Sequence, residues 1–513
     1  MSKKLLVALW LVWLMASVSG RALAEPRRIT IAFTNDLESA YDPIDAFWRD
    51  DIARIGGVAE LATLVQSVRA GSDVFFLFDA GDIFTGTLAK RTQGAVSFDL
   101  LGLMGYDAMV IGNHEFEYGW QVLADQKNRV PFPVLGANLF YRGTTHPYAQ
   151  PWTIIERDGI RVGVIGVMGQ DAATALIPSN IAGVTVLPPV EVLRPLVAKL
   201  RPQCDVIVVL THQGETAPMQ TDDESDATVH RGNAENVALA GAVDGIDLIL
   251  AGHTDAGTGQ PLIHPETQTA VMQTFGQGQH LGVIELELNE GDLSLVSGRL
   301  LLVNADQLLP DPAVAGRLAA YRAQHPDLYE RVGQLEALLT RRYNVESTLG
   351  NAFADIVREA ASAEIGLMPS GALRKDLPAG AIRRVDLLDT FPFADRIAVV
   401  ELRGAVLQQV LEQGLSLERG LLQVSGVQIT YDPERPVGQR ATKVLIKGVP
   451  LEGERIYRVG TLEILAQGGD RYTQFHEAET VSWLPGSFAD ALLAAFATDE
   501  AYSVPVLGRY VRK

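Results

Sequence analysis

The stretch ITIAFTNDLES, residues 29–39, sets the reading of the N-terminal half of this chain. ITIAF is an unbroken run of apolar and β-branched residues, as expected of a strand covered on both faces. The polar residues begin at once after it, with Asp36 and Glu38 two positions apart. An acidic pair at the carboxyl end of a buried strand is a pattern for holding a metal or handling phosphate. In an open α/β sheet the ligand crevice lies beyond the carboxyl ends of the strands, so other strands ending in the same way would point to one place.

Four more strand-like runs do so. VFFLF leads into Asp79-Ala80-Gly81-Asp82 and AMVI into Gly112-Asn113-His114-Glu115. DVIVVL leads into Thr211-His212, and DLILA into Gly252-His253-Thr254-Asp255. Singly these are weak signals, because a Gly-Asp pair is commonly a turn and a strand-end His is commonly structural. Turn chemistry does not explain five together, and a joint functional cluster is the better reading.

Between the strands lie helix-like segments, among them GGVAELATLVQSVRA (56–70) and PVEVLRPLVAKL (189–200), so an α/β domain is expected to about residue 305. Residues 306–345 are polar and helical in pattern, as a connecting helix would be, and a second mixed α/β domain with its own Gly-rich turns follows over 346–513. The acidic run TDDESDA (221–227) reads as a solvated loop.

The chain has 513 residues, 47% of them hydrophobic, enough for more than one packed domain. Its formal net charge of −19 disfavours a nucleic-acid binder and a basic membrane-surface protein. Residues 1–24 combine the basic MSKK, the apolar LLVALWLVWLMASV and a terminal ALA, which predicts a signal peptide cleaved before Glu25. The protein is therefore expected to be exported, to the periplasm or the extracellular space. No Cys lies near the cleavage point, so no lipid or other stable membrane anchor is expected. The single cysteine, Cys204, has no partner for an internal disulfide and reads as a small buried hydrophobe.

The order D…GD…GNHE…H…GH resembles that of the calcineurin-like metallophosphoesterases. More closely, the chain resembles the exported 5′-nucleotidase/UDP-sugar hydrolase family, because its second half also carries matching pieces: GNAFADIVREA, SGALRKDLPAG, FPFADRIAVVELRG, LLQVSGVQITYD and TLEILAQGGDRY. The resemblance implies an N-terminal four-layer α/β fold, a β-sandwich flanked by helices, spanning 25–305. It also implies a smaller α/β C-terminal domain that binds substrate.

Two divalent metals are implied, bridged by Asp82. One would also take Asn113, His212 and His253, and the other Asp36, Glu38 and Asp255. The chemistry implied is two-metal hydrolysis by an activated water. His114 falls at the family's catalytic histidine, and Glu117 at the acid that orients it. Substrate residues carried over are Arg374 in SGALR and Gly469, Asp470 and Tyr472 in GGDRY, with Leu421 at the position of a second base-stacking ring. Phe391 and Phe393 are expected in the core.

Glu38 stands where the family usually has His, and Asp255 where it has Gln or His. The acid that orients the catalytic histidine is usually Asp, and here it is Glu117. With four carboxylates instead of two, the ligands formally cancel the charge of two divalent ions. The metal of Asp36, Glu38, Asp82 and Asp255 would see oxygen alone, which favours Mn²⁺, with Zn²⁺, Mg²⁺, Ca²⁺ or iron as alternatives. The plainer reading of Glu38 is a solvent-facing residue or a cap on the next turn.

The expected function is an exported 5′-nucleotidase-like phosphohydrolase acting on a small phosphate ester, a nucleotide first of all. The alternatives are a UDP-sugar or 2′,3′-cyclic nucleotide hydrolase, a thiosulfohydrolase-like ester hydrolase, and a periplasmic binding protein without turnover.

Overall fold

Strand β1 (Arg27–Thr34) turns Ile29, Ile31 and Phe33 to one apolar core and Ala32 to another, the period-two alternation of a strand between two layers. The computed structural model describes residues 26–513 apart from 47, 48, 50, 215–231, 498 and 499. The signal peptide expected at 1–24 and the acidic run at 221–227 lie outside the described residues.

Further strands are β2 (Val74–Asp79), β3 (Ala108–Val110), β4 (Val134–Leu135), β5 (Trp152–Arg157), β6 (Ile160–Met168), β7 (Val206–His212), β8 (Leu248–Gly252), β9 (Leu262–Ile263), β10 (Ala270–Gln273), β11 (His280–Asn289) and β12 (Asp292–Leu302). They make two six-stranded sheets, ordered β12-β11-β1-β2-β3-β4 and β9-β10-β8-β7-β6-β5. Ile29, Ile31, Phe33, Phe76 and Phe78 of the first sheet share one core with Val164, Val208, Leu210 and Leu250 of the second. The sheets are therefore stacked face to face.

Helices α1 (Val58–Ala70) and α2 (Ala95–Met104) cover the outer face of the first sheet. Helices α3 (Pro189–Leu200) and α4 (Ala234–Ala242) cover the second, where Cys204 is buried among apolar side chains. The result is a four-layer helix–sheet–sheet–helix domain.

Register explains the convergence of the polar strand ends. β1 and β2 run parallel with Thr34 opposite Asp79, β2 and β3 with Asp79 opposite Met109, and β7 and β8 with His212 opposite Gly252. The five strand ends do not come from a single open sheet, however. Three belong to the first sheet and two to the second.

Over 306–345 the helical pattern is realised as α5 (Pro312–Ala323), which packs on the first helical layer, and one 3₁₀ turn at Pro326–Tyr329. The carboxylate of Asp311 starts it by accepting the Ala313 and Val314 N–H groups, each at 2.9 Å. Pro326 closes off any extension. Beyond it, Arg331–Leu335 forms a strand paired with Gly380–Arg383.

The C-terminal domain centres on a five-stranded sheet of β13 (Ile365–Pro369), β14 (Ile397–Arg403), β15 (Leu422–Ser425), β16 (Ile456–Leu462) and β17 (Thr480–Trp483), ordered β15-β13-β16-β14-β17. Helix α6 (Thr348–Ala360) covers one face and α7 (Gly404–Ser416) the other. Among the described residues no helix is long and apolar enough to cross a membrane.

Phe33 is fully buried between the sheets, against Gly282. Replacing it with Ala should lower the stability of the N-terminal domain by about 3–5 kcal/mol, read from the shift of its urea transition.

Candidate active site

The loop after β1 and the loop after β2 are stitched together by backbone: Asp36 N–H donates to Gly81 O and Glu38 N–H to Asp82 O, each at 2.9 Å. The second loop is itself held by Glu115, whose buried carboxylate accepts the N–H groups of Asp82, Ile83, Phe84 and Gly112 at 2.9, 2.8, 3.2 and 2.6 Å. Glu115 is visible in GNHE, but nothing in the sequence signals this anchoring role. Asp36, Glu38, Asp82, His253 and Asp255 all have φ between 43° and 87°. For side chains other than Gly that conformation is uncommon and concentrates at functional sites.

Close approach of the two sheets brings the remaining groups in. His212 Nδ1 donates to Ala80 O at 2.8 Å, which leaves Nε2 facing Asp82 Oδ2 at 3.0 Å and Asn113 Oδ1 at 3.1 Å. A Cβ on Gly252 would stand 2.6 Å from Ala80 O, and one on Gly112 would stand 2.2 Å from Asp82 Oδ1. The glycines of GN and GH are thus places where the sheets touch. The His253 N–H donates to both oxygens of Asp36 at 2.9 Å.

Glu38 does not face solvent. Its carboxylate lies 3.6 Å from His114 Nε2 and 3.0 Å from Arg374 Nη2, with its side chain 7% exposed. Two groups of candidate ligand atoms, Asp82/His212/His253 and Glu38/Asp82/His114, each lie within 4.8 Å of one another and share Asp82. His253 Nε2 and Asp255 Oδ1 are buried without a hydrogen-bond partner. A nitrogen and an oxygen left so beside these carboxylates fit a bound cation.

The buried carboxylates and imidazoles of the cluster act strongly on one another. Burial pushes the Asp255 carboxyl well up, helped by Asp36 and Glu38, and burial raises Asp36 to about 7. Burial raises Asp82 too, but His212 and His114 outweigh it and hold that group below the usual carboxylate range. His212 is raised to about 10, since Asp82 and Asp36 overcome its burial. His253 is pushed well below its ordinary value by burial and by His212, so its imidazole is neutral with a free lone pair.

The C-terminal domain closes the cleft. Arg374 Nη2 donates to His114 Nε2 at 2.7 Å, and His114 Nδ1 lies 3.4 Å from Glu117 Oε2. Phe393 is not a core residue: its ring lies 5.8 Å from that of His114 at 28° and beneath the Arg374 guanidinium at 5.4 Å, while Phe391 is in the core. Asp470 lines the cleft. Tyr472 and Leu421 do not. They are 2% and 3% exposed, inside the core under α7, and Gly469 is packed on Ile464. Tyr343, Arg419 and Asp395 also line the cleft; Tyr343 and Arg419 stand outside the matching segments, and Asp395 lies within FPFADRIAVVELRG without a polar neighbour that signals a site.

Residues 29–256 match the calcineurin-like phosphoesterase family, and residues 331–477 match the 5′-nucleotidase C-terminal domain. The chain is 27% identical over 511 residues to protein UshA of Yersinia enterocolitica, covering 90% of this chain and 89% of the relative. A 5′-nucleotidase precursor of Thermus thermophilus superposes with a TM-score of 0.84 at 26% identity, over 94% of this chain and 99% of that one. The sulfate thiohydrolase SoxB of the same organism shares the fold, with a TM-score of 0.76 at 20% identity over 94% of this chain and 96% of that one.

The chain therefore belongs to the calcineurin-like phosphoesterases that carry a 5′-nucleotidase C-terminal domain, and it is a hydrolase of that family. Calcineurin-like phosphoesterases use divalent metals, and the candidate ligand groups for them are present in this chain.

Gly112→Ala should displace Asp82 and His212, because the added methyl would stand 2.2 Å from Asp82 Oδ1 and 2.8 Å from His212 Cε1. Phosphoesterase activity should fall by about 100-fold or more while the far-ultraviolet circular dichroism stays unchanged.

Proposed function

We propose that the protein is an exported two-metal phosphohydrolase that cleaves the phosphate ester of nucleotides, 5′-nucleoside monophosphates first. The observation that carries this reading is that candidate ligand atoms of Asp82, His212, His253 and Glu38 gather where His114 meets Arg374. Export is supported by the basic-then-apolar pattern of residues 1–24 and the ALA that closes it.

Asn113, His212 and His253 with Asp82 would hold one metal, and Asp36, Glu38 and Asp255 with Asp82 the other. The all-oxygen set favours Mn²⁺ in the second position. Two divalent ions held there supply positive charge that makes a water more acidic and steadies the phosphoryl oxygens.

The chain's own groups do the rest. Arg374 offers its N–H groups to the phosphoryl oxygens and opposes the extra negative charge of Glu38. Its bond to His114 Nε2 places the imidazole proton on Nδ1, facing Glu117. Once a phosphoryl group draws Arg374 away, Nε2 faces the cleft. A proton taken up there hydrogen-bonds the leaving oxygen as charge builds on it. Phe393, stacked against both His114 and Arg374, shields one side of each from water.

The test is phosphate release by the mature protein from AMP, a UDP-sugar, a 2′,3′-cyclic nucleotide and a generic phosphodiester, each with a panel of metals. AMP with Mn²⁺ should be fastest, and His114→Ala should lower kcat by about 10²–10⁴. Unchanged turnover in that variant, or no release from any ester, would sink the reading. Glu38→His should shift the metal preference towards Zn²⁺, read from activity and from metal content by mass spectrometry. An unchanged preference would remove Glu38 from the ligand set.

A further inference from the structure

Arg374 and Glu38 meet across the two domains, so contacts outside the pair have to set one against the other. On the N-terminal side the Glu38 backbone is fixed from two directions. Its N–H donates to Asp82 O at 2.9 Å, and its carbonyl accepts the Thr85 hydroxyl at 3.0 Å. Thr85 has a φ of 96° and Glu38 one of 43°, both uncommon for a residue other than Gly. Such backbone persists only where its surroundings over-determine it. A Cβ on Gly86, which follows, would stand 3.0 Å from Ser39 Cβ, so the two loops touch here. At Thr87 the segment meets the C-terminal domain, where Asp389 Oδ1 accepts the Thr87 N–H at 2.9 Å.

The other oxygen of Asp389 serves Arg374. Asp389 Oδ2 pairs with Lys375 Nζ at 3.1 Å, and the Arg374 N–H donates to Thr390 O at 2.9 Å. Residues 374–375 are thereby bound to the end of the helix Arg384–Thr390. Burial pushes the Asp389 carboxyl up, but Lys375 and the Thr87 N–H outweigh it and hold the group below its ordinary value, ionised. We propose that Asp389 is a positioning residue for the hydrolysis: one of its oxygens holds the segment that braces Glu38, the other the segment that carries Arg374, and the guanidinium is thereby set against Glu38 and His114. Asp389 acts through Arg374, so this rests on the phosphoryl-binding role given to Arg374 above. Misplacing such a group by about 1 Å can cost on the order of 10²-fold in rate. The Lys375–Asp389 pair, 40% and 21% exposed, is too well solvated to matter much for the stability of the fold.

The experiment is a double-mutant cycle on the full protein with added Mn²⁺. Asp389→Ala should lower kcat/KM for AMP by about tenfold and Arg374→Ala by about 10²-fold or more, while the double variant should match Arg374→Ala within about twofold. A structural role independent of Arg374 would add its own factor. Unchanged kcat/KM in Asp389→Ala, a fall there larger than in Arg374→Ala, or factors that multiply in the double variant overturn the proposal. Arg91→Ala removes a different ion pair from the same short helix, Thr87–Arg91, that of Arg91 with Asp327 at 2.7 Å. It should leave kcat/KM within about twofold, and a fall as large as that of Asp389→Ala would reduce Asp389 to a general domain contact and overturn its role. Calorimetric binding of inorganic phosphate reads the same cycle without turnover. If the wild type releases no phosphate from any ester, yet Asp389→Ala weakens phosphate binding and the effect vanishes in the Arg374→Ala background, the positioning role stands and the phosphohydrolase reading falls. Phosphate binding unchanged by Asp389→Ala, or none by the wild type, overturns the positioning role.

Discussion

Asp82 is the group on which the rest of the site depends. It sits in a loop of the first sheet, contacts His212 of the second at 3.0 Å, and accepts the His114 N–H at 2.8 Å. Its own backbone is held by the four-amide grip of Glu115. A buried carboxylate is costly unless it is fully compensated, and here compensation comes from both sheets at once. The glycines at 112 and 252 follow from that constraint, since any side chain there would part the two sheets where Asp82 needs them together.

The same constraint draws the C-terminal domain into the chemistry. Asp36, Glu38, Asp82 and Asp255 line one cleft, and Arg374 from the second domain pairs with Glu38 at 3.0 Å. A count of ligand charges within the N-terminal domain alone therefore overstates how negative the site is. The domains are also tied further out. Asp171 receives both Arg419 at 2.7 Å and Arg471 at 2.9 Å, and Asp389 accepts the Thr87 N–H at 2.9 Å. Closure of the cleft and completion of the catalytic group are one event in such an arrangement.

Much of this was legible in the linear chain. Each N-terminal site residue follows directly on a run of apolar residues, so strand direction alone carries it to the sheet edge, and Asp36, Asp82, Asn113, His212 and His253 meet there. The contact of Glu38 with Arg374 was not legible, because it joins residues of two domains that lie far apart in the chain. The roles of Tyr472, Leu421 and Phe393 were not legible either. Aromatic and aliphatic residues serve a core and a cleft equally well, and only packing against α7 or against His114 decides between them. The helix expected over 306–345 is too long because the polar pattern continues past Pro326, where a partner strand is available instead.

The α/β alternation, the two-domain order, the family and the strand-end residues of the phosphoesterase centre are all written in the linear chain. They are encoded locally, in residues a few positions apart whose spacing survives without knowledge of the fold. It took the packed molecule to show that the five strand ends come from two sheets, that Glu38 meets Arg374, and that Tyr343 lines the cleft while Leu421 is buried. Those outcomes join residues far apart in the chain. They are set by which surfaces must be buried against each other, a condition no single stretch of chain contains.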